Sequence, residues 1–353
     1  MTPNRTSGAD ATPVRVVIVT LDSHLASACE RAAGQLRGEI PGLELKLHAA
    51  SEFSSDEAAL ARCIADIRTG DIILATMLFV EEHIRAVLPA LQARRESCDA
   101  MVACMSAPEV VRLTRMGKLR MGEKSGGALS FLKRLRGKTD EKTGAPKGSG
   151  ASQMAMLRRL PKLLRFIPGT AQDLRVYFLT LQYWLAGSEG NVANLVRLLV
   201  DKFADGPRQS FRGRLKVADP IAYPEVGVYH PRLPSRIGEQ VSDLPRPFRQ
   251  TSGRIGLLVL RSYILAGNTA HYDGVIAAFE AKGLEVVPVF ASGLDARPAI
   301  EAFLMKDGRA SIDAMVSLTG FSLVGGPAYN DSRAAEEMLA RIDVPYVAAQ
   351  PVE

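Results

Sequence analysis

The chain has 353 residues, a formal net charge of +6, 47% hydrophobic and 23% charged residues. That is ordinary for a globular protein with two or three cores, and it excludes a low-complexity or disordered chain. No apolar run approaches the ~20 residues a membrane-crossing helix needs. The opening residues MTPNRTSGADATP lack an apolar h-region, so 1–13 are expected to be a disordered leader rather than a signal peptide. Cys29, Cys63, Cys98 and Cys104 show no CxxC spacing; Cys29 and Cys63 fall among apolar neighbours, where a reduced, buried thiol is expected. A cytoplasmic location is the expectation.

From Val14 to Met116 apolar runs alternate with helical patterns in the manner of a parallel sheet covered on both faces. Strands are predicted at Val14–Leu21, Leu43–Ala49, Asp71–Thr76 and Ala100–Met105. Helices are predicted at His24–Arg37, Ser55–Arg68 and Val80–Arg95, the second capped by Ser54 or Ser55 and closed by Gly70. VRVVIVTL and DIILATM are almost wholly apolar, as central strands should be. Residues 14–116 therefore read as a flavodoxin-like α/β domain.

Residues 117–150 break the pattern and read as a mobile basic loop region. A short basic helix is predicted inside it at Ala128–Arg136. Between Arg112 and Arg165 there are 15 Lys/Arg against 3 Asp/Glu, so the rest of the chain is net acidic. Nucleic acid is not the expected partner of this segment, because Gly117–Ser130 carries no interleaved aromatics and no binding-fold motif. FLKRLRGK and LRRLPKLLRF leave two readings open. They can touch an anionic membrane surface weakly, or pack on the domain through Leu157, Leu160, Leu163 and Leu164.

Residues 151–205 form a helical segment, with helices predicted at Met154–Phe166, Ala171–Ala186 and Asn191–Phe203. Tyr183 and Trp184 share helical spacing with Phe178, Leu181 and Leu185 and read as core. Residues 206–252 are a proline-rich connection of extended chain and edge strands. A second α/β unit occupies 253–353, with strands at Ile255–Arg261, Leu284–Phe290, Ala314–Leu318 and Val344–Ala348. A polar-aromatic loop should follow Arg261, and a helix should open near Asn268. The fold class is thus α/β: two doubly wound, mainly parallel-sheet units joined by a helical segment and a proline-rich crossover.

Two glycine-rich stretches imitate nucleotide loops. GKLRMGEKS misses the P-loop spacing by one inserted residue, Glu123, and GFSLVGG has Gly where the P-loop has Lys. The five histidines form no HxxxH, HExxH or Cys/His cluster, so no metal site is expected. His271 stands out because it opens a helix on the side of an open sheet where α/β proteins bind ligands; a helix-end histidine is also commonly just exposed. Arg261 and Tyr263 sit together at a strand end, and Phe321 at another. A guanidinium beside an aromatic ring suits a flat aromatic ligand bearing carboxylates. The plainer alternative is that Arg261 makes a structural pair and the glycines only permit turns.

Several segments carry a resemblance. LRSYILAGNTAHYDGVIAAFEAKGLEVVPVFASGLD (Leu260 onward), SLTGFSLVGGPA (Ser317–Ala328), FLTLQYWLAGSEGNVANLVRLLVDKF (Phe178–Phe203), VRVVIVTLDSHL and RLTRMGKLRM agree in order with one family. The chain resembles the large, porphyrin-binding (H) subunit of magnesium chelatase, and more distantly the large subunit of aerobic cobaltochelatase. The family's H subunit is far longer, so the resemblance implies an N-terminal portion that is inactive alone, with the catalytic residues outside this chain. It implies protoporphyrin IX and Mg²⁺ as substrates of the whole subunit, in (bacterio)chlorophyll synthesis. ATP would be hydrolysed by separate AAA+ partner subunits. Arg261, Tyr263, His271 and Phe321 are the residues expected to face the tetrapyrrole. The alternatives are a cobaltochelatase subunit acting on a corrin precursor, and a non-catalytic docking module using the basic segment.

Overall fold

A computed structural model describes residues 12–122, 159–246, 250–326 and 329–349. The leader, the helix expected at Ala128–Arg136 and most of the expected mobile loop lie outside the described residues. The chain divides into two units, Met1–Ile221 and Ala222–Glu353.

In the first unit β1 (Val14–Thr20), β2 (Leu43–Ala49), β3 (Ile72–Thr76) and β4 (Ala100–Cys104) are parallel and lie in the order β2-β1-β3-β4. Every residue of β3 and β4 is buried, which is why both read as unbroken apolar runs. The edge strand β2 keeps an alternating pattern, with Glu44 and Lys46 exposed. Helices α1 (Ala26–Leu36), α2 (Glu57–Thr69), α3 (Glu81–Arg94) and the short α4 (Pro108–Val111) connect these strands. On one face Val17, Val19, Ile73, Ala75, Met101 and Ala103 pack with Cys63 and Ile67 of α2 and Ile84, Val87 and Leu91 of α3.

Two local expectations change. Asp56, not Ser54 or Ser55, caps α2, its carboxylate accepting the Ala58 N–H at 2.8 Å; the Ser55 hydroxyl instead donates to the Glu52 carbonyl. Serine and aspartate are near-equal caps, so chain geometry decides between neighbours. The GKLRM stretch, expected to open the loop region, turns back as an antiparallel hairpin, β5 (Arg115–Met116) and β6 (Leu119–Arg120), on the β4 edge.

After a helical turn at 159–164 come α5 (Thr170–Leu185) and α6 (Glu189–Phe203), the latter capped by Ser188. Tyr183 and Trp184 are core, and the Tyr183 hydroxyl donates to the Ala218 carbonyl. α6 packs on α1 and β3, covering the second face of the sheet. All four cysteines are buried and unpaired, and burial pushes the Cys29, Cys63 and Cys104 thiols up to about 12.

The second unit begins before Gly253, because part of the proline-rich stretch joins its sheet. β7 (Val226–Tyr229) and β8 (Ile237–Gly238) form an antiparallel hairpin beside the parallel core. That core is built from β9 (Gly253–Leu258), α7 (Arg261–Ala266), α8 (Ala270–Ala281), β10 (Leu284–Ala291) and α9 (Arg297–Phe303). A small hairpin follows, β11 (Met305–Lys306) and β12 (Arg309–Ala310), then β13 (Ala314–Ser317). A second hairpin, β14 (Gly325–Gly326) and β15 (Tyr329–Asn330), precedes α10 (Ser332–Ile342) and β16 (Tyr346–Ala348). The sheet order is β16-β13-β9-β10-β7-β8. Taken in chain order, the four parallel strands have the same arrangement as in the first unit, second-first-third-fourth, read from the opposite edge with the strand after β9 standing beside the hairpin. The antiparallel hairpin sits beside the fourth strand in one unit and beside the second in the other.

The expected loop after Arg261 is a helix. β9 ends at Leu258, and RSYILA forms α7, anchored by buried Ile264, Leu265 and Ala266. Gly267 stops it in the left-handed region at φ 70°, its N–H donating to Ile264 O while Asn268 N–H donates to Tyr263 O. α7 and α8 cover one face of the sheet through Tyr229, Leu257, Tyr272, Ile276 and Phe290. α9 and α10 cover the other through Ile300, Met315 and Met338.

Candidate functional site

The chain leaves β9 toward β10 on one side and later returns to place β13 on the other. The carboxyl ends of β9 and β13 are therefore the topological switch point, where open α/β sheets bind ligands. Three loops meet there: Val259–Leu260 into α7, Ser292–Asp295 after β10, and Thr319–Leu323 after β13. The last two are zipped together, Ala296 N–H donating to Leu323 O at 3.0 Å and Gly325 N–H to Leu294 O at 2.8 Å.

Tyr263 and His271 are brought into contact. Their rings lie 5.4 Å apart, edge to face, and both pack on Tyr272, at 6.1 Å from Tyr263 and 3.9 Å from His271. Tyr272 is fully buried and its hydroxyl oxygen accepts the Leu260 N–H at 3.1 Å, fixing the start of α7. Burial pushes His271 below its ordinary value, against the opposing pull of Asp273. Both rings stay half-buried, leaving an aromatic surface at the α7–α8 junction.

Arg261 does not stand at a strand end. It opens α7, is 4% exposed, and donates Nη1 to the Pro224 carbonyl at 2.8 Å. Its guanidinium holds the segment before β7 and, in this arrangement, is turned into the fold. Phe321 is half-buried at the switch point, in a turn where Gly320 takes φ 70° and the Thr319 hydroxyl accepts the Phe321 N–H. It shares a cleft with Leu258, Leu260, Phe290 and Leu294, whose volume is about 20 Å³. Ligand pockets are roughly 300–1,000 Å³, so this cleft alone cannot enclose a large ring.

Sequence reasoning missed the network behind this surface. The Tyr229 hydroxyl donates to Asp273, and Arg236 donates to the Thr269 hydroxyl at 2.7 Å while lying 3.6 Å from Asp273. Burial, then the bond to Asp273, pushes Tyr229 up to about 12. The only sequence signal was the spacing of Thr269 and Asp273 around His271. At the amino ends of β9 and β10, a cavity of about 580 Å³ is lined by Arg232, Arg246, Arg254, Glu280 and Glu285. Arg232 pairs with Glu280 at 2.5 Å and Arg254 with Glu285 at 3.2 Å. Among the described residues no three His, Cys, Asp or Glu side chains are grouped to hold a metal ion.

Residues 181–353 match the CobN/Magnesium Chelatase family model, and 15–178 match a domain of unknown function, DUF3479. The chain is 52% identical, over 98% of its length, to the magnesium-chelatase H subunit of Cereibacter sphaeroides. Residues 181–353 belong to the CobN/magnesium chelatase family. It is likewise 51% identical over 96% of its length to the Rhodobacter capsulatus magnesium-chelatase H subunit, and 32% identical over 96% to the chloroplastic ChlH subunit of Oryza sativa subsp. indica. The chain spans 28%, 27% and 25% of the lengths of these three magnesium-chelatase relatives. Both α/β units, and the loops of the switch point, fall inside the matched region.

Proposed function

We propose that this chain is part of the tetrapyrrole-handling subunit of a magnesium chelatase, working in the cytoplasm in (bacterio)chlorophyll synthesis. The carrying observation is the identity to H subunits, which runs through both units. The complete enzyme would insert Mg²⁺ into protoporphyrin IX, with ATP hydrolysed by AAA+ partner subunits. Mg²⁺ dehydrates reluctantly and prefers six oxygen ligands, whereas a porphyrin offers four planar nitrogens that must first lose two protons. Coupling to an external energy source suits that chemistry. No insertion step is assigned to a residue of this chain.

Within this reading, Tyr263 and His271 supply an aromatic face for the macrocycle, and Phe321 supplies an apolar wall at the neighbouring strand end. Arg261 acts on the same surface by holding α7 in place through Pro224. The small cleft fits a surface that contacts one side of a ring, with the remaining enclosure provided elsewhere in the enzyme.

Titration of the whole chain with protoporphyrin IX, followed by its Soret band, tests the reading together with capture by recombinant chelatase AAA+ subunits. A saturable Soret shift or specific capture is the expected result. Neither signal, or a shift only with a corrin, would overturn it.

A further inference from the structure

Residues 159–168 of the first unit, RLPKLLRFIP, take no part in the surface described above. Leu160 and Leu164, one helical turn apart, are buried, and so is Pro161. Gln172 Nε2 donates to the Leu164 carbonyl at 2.9 Å, and Arg175 Nε to the Pro161 carbonyl at 3.2 Å. The inner face of this segment is thus clamped onto α5. Packing through Leu163 was one of the two readings left open by the sequence, but Leu163 is 67% exposed, Phe166 84% and Ile167 50%.

Single exposed apolar side chains are ordinary, and three large ones within five residues are not. Arg159, Lys162 and Arg165 surround them, all exposed and without an ion pair among the described residues. The stretch contains no acidic residue. This combination selects an occupant with an apolar interior beneath a layer of negative charge. A protein partner would need a socket shaped to these three side chains. An anionic bilayer offers both features over its whole surface and accepts an unshaped wedge. Among the described residues no helix is long and apolar enough to cross a membrane, so the contact would be peripheral.

We propose that 159–167 is a docking site for an anionic lipid surface. Leu163, Phe166 and Ile167 enter the boundary between headgroups and acyl chains, and the three cations lie against lipid phosphates. The proposal is independent of the tetrapyrrole reading.

Flotation of the whole chain with vesicles tests it. The chain is expected to float with an equimolar phosphatidylcholine–phosphatidylglycerol mixture and not with phosphatidylcholine alone. Leu163→Ser with Phe166→Ser leaves the charge unchanged and should weaken binding at least about tenfold. Arg159→Gln with Lys162→Gln and Arg165→Gln should weaken it comparably. Thermal melts matching the parent chain would separate a lost contact from a lost fold. The proposal is overturned if the parent floats with neither vesicle, if it floats equally with both, or if the serine variant floats like the parent. The last result would assign the binding to basic charge alone, without an apolar wedge.

Discussion

Arg208 clasps Asp99 with two hydrogen bonds, Nε to Oδ2 at 3.0 Å and Nη2 to Oδ1 at 2.9 Å, while the same Nη2 lies 3.3 Å from Asp71. The three side chains are only 15%, 8% and 5% exposed. They tie the turn after α6 to the amino ends of β3 and β4. Arg208→Ala leaves two neighbouring carboxylates buried without their counter-charge, at a cost of about 3–5 kcal/mol. Urea unfolding at neutral pH measures it. Burial already pushes the Asp71 carboxyl above its ordinary 3.8. A raised folded value contributes stability below the unfolded one and loses it as pH rises. The variant's deficit should therefore narrow as pH falls toward 3.8.

Glu39 gives the opposite sign. Arg197 donates to both its oxygens, at 2.8 and 2.7 Å, and these bonds hold the Glu39 carboxyl below its ordinary 4.5. A depressed folded value stabilises above the unfolded one and is lost as pH falls through the folded one. Solvent screens this partly exposed pair, so Glu39→Gln should cost about 1 kcal/mol or less at neutral pH. Melting curves of the two proteins should converge as pH drops below 4.5.

Gly227 lies where β7 passes under Phe290. A methyl group there would stand 2.6 Å from the Phe290 ring tip and 2.8 Å from the Gly238 carbonyl oxygen. One obstacle is backbone and cannot rotate away. Gly227→Ala should cost about 1–3 kcal/mol, read as a lowered melting temperature of the second unit.

At the switch point the variants should separate by kind. Arg261→Ala deletes a buried donor and leaves the Pro224 carbonyl short of a partner, which should cost about 1–3 kcal/mol in stability. Tyr263→Ala and His271→Ala trim half-buried rings, so their effect should fall on porphyrin affinity with a smaller change in melting temperature. Equal loss of melting temperature in all three, with porphyrin binding unchanged, would remove this surface from the proposed function.

Much of this architecture was legible because burial leaves a periodic trace. Continuous apolar runs marked β1 and β3 as strands covered on both faces, and helical spacing placed Tyr183 and Trp184 in the core. α7 escaped because six residues are too short to show a helical period, and its polar-aromatic composition suggested a loop. The cap of α2 escaped because three adjacent residues are all competent caps.

By itself the sequence determined the two βα alternations, the family, and the segments that form the switch-point loops. Only the tertiary structure decided what those loops do with their side chains. Tyr263 meets His271 because α7 turns at Gly267, and Arg261 is spent on Pro224, 37 residues away in the chain. Local pattern encodes which face of an element is buried. It does not encode which distant carbonyl or ring the packing of that face will bring within reach.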